Sequence, residues 1–350
     1  MDYNGGMVLP MAISKGITAW VAFTDDDHIT IASNQFEGSL HIPINESPLK
    51  NAISWLNYPL GVLQVLQDQR APLRGCSVLL DSNLPAGSGL SSSAALELLM
   101  ATIFTHGSDF ISDSIQLAKL GKQAENDFVG VQCGIMDQFA IAHGNGESAV
   151  CIDCTDLSYD FVPIDFLDHE LLIINTGKPR ELVDSAFNQR QAECREAAAF
   201  VYEHFKINHL AIACEDQIKS IKKANVRKRA THVINEQSRV KQAKQHLIKG
   251  ELTQFGALLY ASHHSLKHDF EVSCAALDYI VDFAKTRTDC LGSRMTGAGF
   301  GGCAIALVRK ESSLDFQSNL TKAYSSAFNH SMDIIVCKAG MGVGEITAFG

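Results

Sequence analysis

The sequence predicts an α+β protein of two domains, and three observations carry that prediction. At 350 residues the chain is longer than a single ordinary core requires. Its front end carries short apolar runs that alternate with polar residues, the pattern of half-buried strands, whereas residues 184 to about 285 read as successive helices. The last stretch returns to strand, helix and strand.

The elements follow in order. Asp2-Tyr3-Asn4-Gly5-Gly6 is a turn cluster, and Met7–Ile13 after it is strand-like. Thr18–Thr24 and His28–Ser33 alternate and are joined across Asp25-Asp26-Asp27, which predicts a hairpin and an antiparallel opening sheet. A helix is expected at about Pro48–Gln69. Asp113–Phe128 has a helical period with Asp113 as its N-cap and Glu125 near its end. Gly130–Gln138 then sets a carboxylate, Asp137, between Gly134 and an apolar run, Phe139–Ala142, read as a strand. Flanked by Ile135, Met136 and Phe139, that carboxylate is partly desolvated, a condition common to catalytic and to paired acids. Ala149–Asp153 and Glu170–Asn175 are strand-like. The helical stretch that follows includes Lys219–Lys249, rich in Lys and Arg with Glu236 its one acid. Lacking interleaved aromatics, this stripe reads as a solvated helix face. His264 and His268 share a helix face at a spacing compatible with a metal, but no acid completes the zinc-helix pattern, so they read as surface or packing residues. Gly297, Gly299 and Gly302 match G-x-G-x-x-G, yet Cys303–Val308 continues as a strand, which excludes a dinucleotide fold. A helix at Leu314–Phe328 and a strand at Asp333–Lys338 close the chain.

One stretch organises the rest. Leu84–Leu96 follows a short strand, Ser77–Leu80, and leads into a helix, Ala94–Phe104. Between them Gly87 and Gly89 allow close backbone approach, and Ser91, Ser92 and Ser93 supply an N-cap and hydroxyls. A strand, a Gly-rich loop and a helix start make a seat for phosphate, and a hydroxyl there suits Mg²⁺. The loop lacks the lysine of the common phosphate loop, and Ser92 stands where a dinucleotide motif has its third glycine. Alone, it is equally well a Gly/Ser turn capping an ordinary helix.

Composition narrows the function classes. An apolar fraction of 46% with 19% charged residues is that of a globular protein in water. A net charge of −10 argues against nucleic acid as a partner, though not against a nucleotide. No apolar run is long enough to span a bilayer, and the N-terminus lacks the regions of a signal peptide. The ten cysteines are scattered and read as reduced core thiols; Cys151-x-x-Cys154 has no second pair at zinc spacing and reads as a strand position.

With these stretches in hand, the chain resembles the galactokinases of the GHMP small-molecule kinase superfamily over essentially its whole length. Asp2-Tyr-Asn-Gly-Gly-Met-Val-Leu-Pro-Met-Ala-Ile13 is similar to the second half of the galactokinase signature. Leu84–Leu96 is similar to the superfamily phosphate loop, Gly134-Ile-Met-Asp-Gln138 to the segment of the catalytic aspartate, and Arg294–Cys303 to the third motif. The resemblance implies a two-domain GHMP kinase fold, with a ribosomal-S5-like α/β domain over residues 1–165 and a ferredoxin-like split β-α-β domain over 166–350. It implies transfer of the γ-phosphate of ATP to the C1 hydroxyl of galactose, with Mg²⁺ as cofactor. Asp137 would accept the proton of the C1 hydroxyl. Glu125, Ser92 and Ser93 would bind the metal. Pro85, Gly87, Ser88, Gly89, Leu90, Ser91, Ser92, Ser93 and Ala94 would bind the nucleotide, and Asp2, Gly134 and Phe187 the sugar. Galactose and ATP are then the partners of a cytoplasmic monomer that meets neither nucleic acid nor membrane.

Two departures accompany the resemblance. The family signature begins ahead of Asp-Tyr-Asn with Gly-Arg-Val-Asn-Leu-Ile-Gly-Glu-His-Thr. This sequence opens at Met1-Asp2, so it reads as truncated at its N-terminus, and the activity of the chain as given hangs on that half. Phe187 stands where many members have a tyrosine that touches the sugar. The alternatives are a kinase for a related sugar such as N-acetylgalactosamine, and a catalytically weak regulator that binds sugar and ATP.

Overall fold

A computed structural model describes residues 2–85, 89–178, 183–329 and 331–345, the side chains of 183–185 excepted. The chain opens with a 3₁₀ turn at Asp2–Asn4 and a short strand β1 (Met7–Val8). Strands β2 (Ile17–Phe23), β3 (His28–Ser33) and β4 (Ser39–Pro43) precede helix α1 (Asn57–Asp68), strand β5 (Cys76–Ser82) and helix α2 (Ser92–Phe104). Helix α3 (Ser114–Gln123) runs into a π-helical turn at Ala124–Val129, and helix α4 (Met136–Ala142) follows. Next come β6 (Ser148–Asp153), β7 (Tyr159–Pro163) and β8 (His169–Asn175). The helical stretch comprises α5 (Val183–Phe205), α6 (Glu215–Ile218), α7 (Ala224–Lys249), α8 (Leu252–Ser265), a second π-helical turn at Leu266–Phe270, and α9 (Ala275–Lys285). β9 (Cys290–Thr296), β10 (Cys303–Arg309), α10 (Ser313–Ala327) and β11 (Asp333–Cys337) complete it.

These elements form two compact units. One contains Met1–Leu9, Pro85–Leu90 and Glu147–Lys338; the other contains Pro10–Leu84, Ser91–Gly146 and Ala339–Gly350. Both are discontinuous in sequence.

In the first unit the sheet order is β11-β8-β10-β9, every pair antiparallel, with helices between β8 and β9 and between β10 and β11. This is the β-α-β-β-α-β arrangement expected for the second half of the chain. The near-continuous apolar run Leu171–Ile174 in β8 reflects a sheet covered on both faces. Leu172, Ile174, Ala304, Ala306 and Val308 pack with α5, α7, α9 and α10, while Leu307 joins Cys151, Val162, Leu247, Phe255 and Leu259 in a smaller core.

In the second unit the order β2-β5-β3-β4 corrects the hairpin expectation. The runs at 18–24 and 28–33 do not pair with each other. β5 enters between them, antiparallel to β2 and parallel to β3. The turn itself forms, since Asp26 accepts from the Thr24 hydroxyl and the His28 N–H. Yet Gly75 brings the start of β5 beneath it: a Cβ there would strike the Asp26 carbonyl, and Thr24 N–H donates to Gly75 O at 2.9 Å. A central strand with Cys76, Val78 and Leu80 buried gains two ladders by this placement, and β3 takes its hairpin partner from β4. Leu60, Leu63, Leu98 and Phe104 cover the buried face.

Three further expectations shift. Met7–Ile13 is strand only at Met7–Val8, with an isolated bridge from Ile13 to Ala339. The helix expected from Pro48 begins at Asn57, where the Asn57 side chain bonds the backbone of Asn51 in both directions and holds the preceding segment in a loop. Phe139–Ala142 is helix, not strand: four apolar residues do not distinguish the two, and docking on α3 decides. The cap at Asp113 forms as read, its carboxylate accepting from Gln116 N–H at 2.8 Å.

The basic stripe on α7 is largely neutralised. Lys223 pairs with Glu196, Lys228 with Glu271, Arg239 with Glu236 and Lys244 with Asp160, while buried Arg229 lies between Glu193 and Glu271. His264 and His268 lie on the surface with ring centroids 4.4 Å apart. All ten cysteines are free thiols, and Cys151 lies within β6. No described helix is long and apolar enough to cross a membrane.

Candidate active site

The candidate phosphate loop lies in sequence between β5 and α2. Gly87 and Ser88 lie outside the described residues. Pro85, Gly89 and Leu90 flank the gap, and Gly89 takes φ +71°, a conformation that favours glycine. Ser91 follows at φ +56°, also left-handed. The sequence reading made a serine side chain the helix cap; the structure corrects this. A capping side chain needs an extended backbone at the N-cap. Ser91 is left-handed there, and its side chain makes no cap bond. Only its carbonyl joins the helix, accepting from Ala95 N–H at 3.0 Å. The first-turn N–H groups of Ser92, Ser93 and Ala94 therefore gain nothing from a side-chain cap, at the end of α2 where the helix dipole is positive. The Ala94 methyl is buried, so what that residue can offer a ligand is backbone.

The carboxylates sit on neighbouring segments of the second unit. Glu125, 6% exposed, lies in the π-helical turn after α3. Gly130, at φ +94°, ends that turn by donating to the Glu125 carbonyl at 2.9 Å. Such turns widen a helix locally and recur at functional sites. Gly134 follows in the connecting loop, and half-buried Asp137 occupies the first turn of α4, where the helix dipole favours its charge. Gln138, next to it, points one amide nitrogen at two carboxylates: Nε2 lies 2.8 Å from Glu125 Oε2 and 3.1 Å from Glu97 Oε2. Cys133 Sγ lies 3.3 Å from the same Glu125 oxygen. Burial, reinforced by the charges of Glu125 and Asp137, pushes the Glu97 carboxyl up to about 9 against the pull of the Gln138 N–H, so Glu97 is a neutral acid at pH 7. Burial and Glu125 also push the Cys133 thiol well above its ordinary range, which keeps it protonated.

The remaining sugar-site candidates lie in the first unit. Asp2 Oδ1 accepts from Tyr3 N–H at 3.0 Å inside the opening 3₁₀ turn. Tyr3 meets Phe187 of α5 edge-on. The segment after the turn is pinned by α7: Gln237 accepts from Met7 N–H at 2.8 Å and donates to Met7 O at 3.1 Å, acting as a strand partner. Gly5 and Gly6 are needed there, because a Cβ on either would strike His209 or Ala211.

Thus in one unit Glu125 is bonded to Gln138, the chain neighbour of Asp137, and in the other Phe187 meets Tyr3, the chain neighbour of Asp2. Sequence reasoning missed Gln138, Glu97, Cys133 and Tyr3. Glu97 had a visible signal, as the single charge in the apolar helix Ala94–Phe104.

The residues fit a Mg²⁺ ion that arrives with a nucleotide. No group of three or more His, Cys, Asp or Glu side chains among the described residues could hold a metal alone. Mg²⁺ commonly takes one or two carboxylates together with substrate phosphates and water. Glu125 suits that role, because both of its side-chain hydrogen bonds among the described residues end on Oε2 and leave Oε1.

Comparison with known proteins decides the family. Residues 57–145 match the GHMP kinases N terminal domain and residues 243–326 the GHMP kinases C terminal domain. A galactokinase of Clostridium tetani is 41% identical, the match spanning 99% of this chain and 90% of that protein. The chain belongs to the galactokinase family of GHMP kinases. Another galactokinase, from Streptococcus thermophilus, is 41% identical over 96% of this chain and 89% of its own length. The crystal structure of Lactococcus lactis galactokinase complexed with galactose superposes with a TM-score of 0.93 at 36% identity, covering 97% of this chain and 90% of that one. The mevalonate kinase of Methanococcus jannaschii, 21% identical with a TM-score of 0.66 over 97% of this chain and 93% of its own, shares the fold. The galactokinase fold is therefore the two-domain GHMP kinase arrangement of mixed helices and sheets.

Proposed function

We propose that the chain transfers the γ-phosphoryl group of ATP to the C1 hydroxyl of galactose, giving galactose 1-phosphate and ADP. The observation that carries this reading is the likeness, at TM-score 0.93, to a galactokinase bound to galactose. Asp137 takes the proton of the C1 hydroxyl as its oxygen bonds the γ-phosphorus and the bond to the β–γ bridging oxygen breaks. Phosphoryl transfer has a loose transition state, so orientation and charge stabilisation matter more than a strong nucleophile. Asp2 and Gly134 hold sugar hydroxyls by side chain and backbone, and Phe187 offers an apolar edge without a hydroxyl. Pro85 and Gly87 to Ala94 bind the phosphates, with N–H groups of the α2 start available to the anion. Glu125 with Ser92 and Ser93 would hold Mg²⁺, which when bound neutralises charge on the phosphates. The chain acts as a cytoplasmic monomer, with its GHMP kinase N-terminal domain over residues 1–165 and its C-terminal domain over 166–350.

A coupled assay of ADP release across galactose, N-acetylgalactosamine, mevalonate and homoserine tests the reading. Galactose should give the highest kcat/KM; a better substrate among the other three overturns it.

A further inference from the structure

We propose that Gln138, backed by Glu97, is a positioning residue that fixes the orientation of Glu125 for metal binding. The inference rests on the role assigned to Glu125 above and adds residues that this role does not name. Gln138 is 1% exposed and Glu97 is fully buried. A primary amide carries two N–H hydrogens, and Gln138 spends both, one on Glu125 Oε2 at 2.8 Å and one on Glu97 Oε2 at 3.1 Å. The opposite amide orientation would set oxygen against Glu125 Oε2, the nearer of the two at 2.8 Å, so that carboxyl group dictates which way the amide points.

The bridge joins three segments that belong to the candidate site. Glu97 stands on α2, the helix opened by Ser91–Ser93. Glu125 stands in the π-helical turn, and Gln138 follows Asp137 on α4. A fourth element closes the space around it. On α3, a Cβ at Gly121 would lie 3.1 Å from Gln138 Cγ, 3.5 Å from Glu97 Oε2 and 2.5 Å from Leu98 Cδ1. The backbone of α3 thus packs close to the bridge, with no room for a side chain at Gly121.

This arrangement is costly as mere packing. Gln138 Oε1 and Glu97 Oε1 are both buried with no hydrogen-bond partner among the described residues. An apolar pair of the same volume would avoid burying those atoms. What the polar pair does that an apolar pair cannot is direct one oxygen of Glu125. With Oε2 engaged by Gln138 and Cys133, Oε1 is the oxygen left for a cation. Residues that orient a metal ligand in this way commonly alter metal affinity when removed.

The test titrates Mg²⁺ calorimetrically into the protein saturated with a non-hydrolysable ATP analogue. Gln138→Leu should weaken Mg²⁺ binding about tenfold or more. Glu97→Leu should weaken it in the same direction by a smaller factor, and galactose affinity measured without nucleotide should stay within about twofold in both. Gln138→Asn, too short to reach both carboxylates, replaces the leucine variant if that chain does not fold. In turnover, the concentration of Mg²⁺ needed for half-maximal rate should rise, with kcat largely restored at high Mg²⁺. A purely structural bridge would lower the melting temperature and leave Mg²⁺ affinity unchanged. Glu125→Gln separates the two levels of the argument. If it weakens Mg²⁺ binding and the Gln138 variants do not, the positioning inference is wrong. If Glu125→Gln leaves Mg²⁺ binding unchanged, the metal role of Glu125 fails, and the inference with it.

Discussion

Tyr3 meets Phe187 edge-on, with ring centroids 6.1 Å apart and ring planes at 82°. The contact joins the 3₁₀ turn that carries Asp2 to helix α5. Burial drives the Tyr3 phenol far above its ordinary range, so the ring acts as a neutral wedge. Phe187→Leu removes the aromatic edge, a contact worth about 0.5–1.5 kcal/mol. The expected outcome is a severalfold rise in KM for galactose with KM for ATP unchanged, read from initial rates. Phe187→Tyr should keep galactose KM near its starting value. Equal rises in both KM values after Phe187→Leu would show that the pair does not act on the sugar side.

Asp137→Asn removes the proposed base and keeps the shape of the side chain. A positioned base contributes about 10²–10⁴ in rate. The variant should lose at least two decades of kcat while retaining galactose and nucleotide affinity by calorimetry. Turnover within about tenfold of the parent would show that the proton leaves by another route.

Gly256 on α8 and Gly292 on β9 press backbone against backbone. A Cβ on Gly256 would strike the Leu291 carbonyl, and one on Gly292 would strike the Gly256 carbonyl. Neither obstacle is the flexible end of a side chain, so the helix must lift. Gly256→Ala should cost about 1–3 kcal/mol, seen as a lower urea midpoint. KM for both substrates should not change, since neither glycine is among the site candidates.

His232 is fully buried, its Nδ1 2.9 Å from the Ser265 hydroxyl. Burial pushes its pKa down to about 3; Glu236 opposes the shift, and Arg239 and Arg294 add to it. The folded chain therefore favours the neutral ring. Its contribution is complete above the unfolded pKa of about 6.5 and is lost as pH falls from there toward 3. Facing it, Glu236 would be raised by burial, but Arg294, His232 and Arg239, with the Ser262 hydroxyl, hold it at about 2. Its contribution is present above about 4.5 and disappears as pH falls toward 2. Urea unfolding at pH 7.5, 6.0 and 5.0 should show stability falling between the last two values by roughly 1 kcal/mol or more. His232→Gln, which cannot titrate, should flatten that interval. An identical slope in the variant would remove His232 as its cause.

Much of the local structure was legible because its causes are local. Asp113 and Gln116 lie three residues apart and make the cap that the sequence announces. The closing helix and strand appear within a residue of where periodicity puts them. Failures occurred where a distant segment intervened. One of Ser91–Ser93 was expected as a side-chain cap, but the backbone at the N-cap, Ser91, is left-handed. Phe139–Ala142 was too short for its period to speak. The partner of Glu125 was invisible because Gln138 is 13 residues away and Glu97 is 41 residues from Gln138, with no periodicity linking them.

By itself, then, the sequence determined the family, the candidate residues that its motifs carry and many of the strands and helices along the chain. Those depend on spacing, on turn chemistry and on apolar period, which act over a few residues. Tertiary structure alone decided that β5 would enter between β2 and β3. It also decided that one amide would tie two buried carboxyl groups while Gly121 closed the space beside it. Such choices depend on which surfaces bury best once the whole chain has collapsed. Neighbours distant in sequence contribute as much to that balance as adjacent ones.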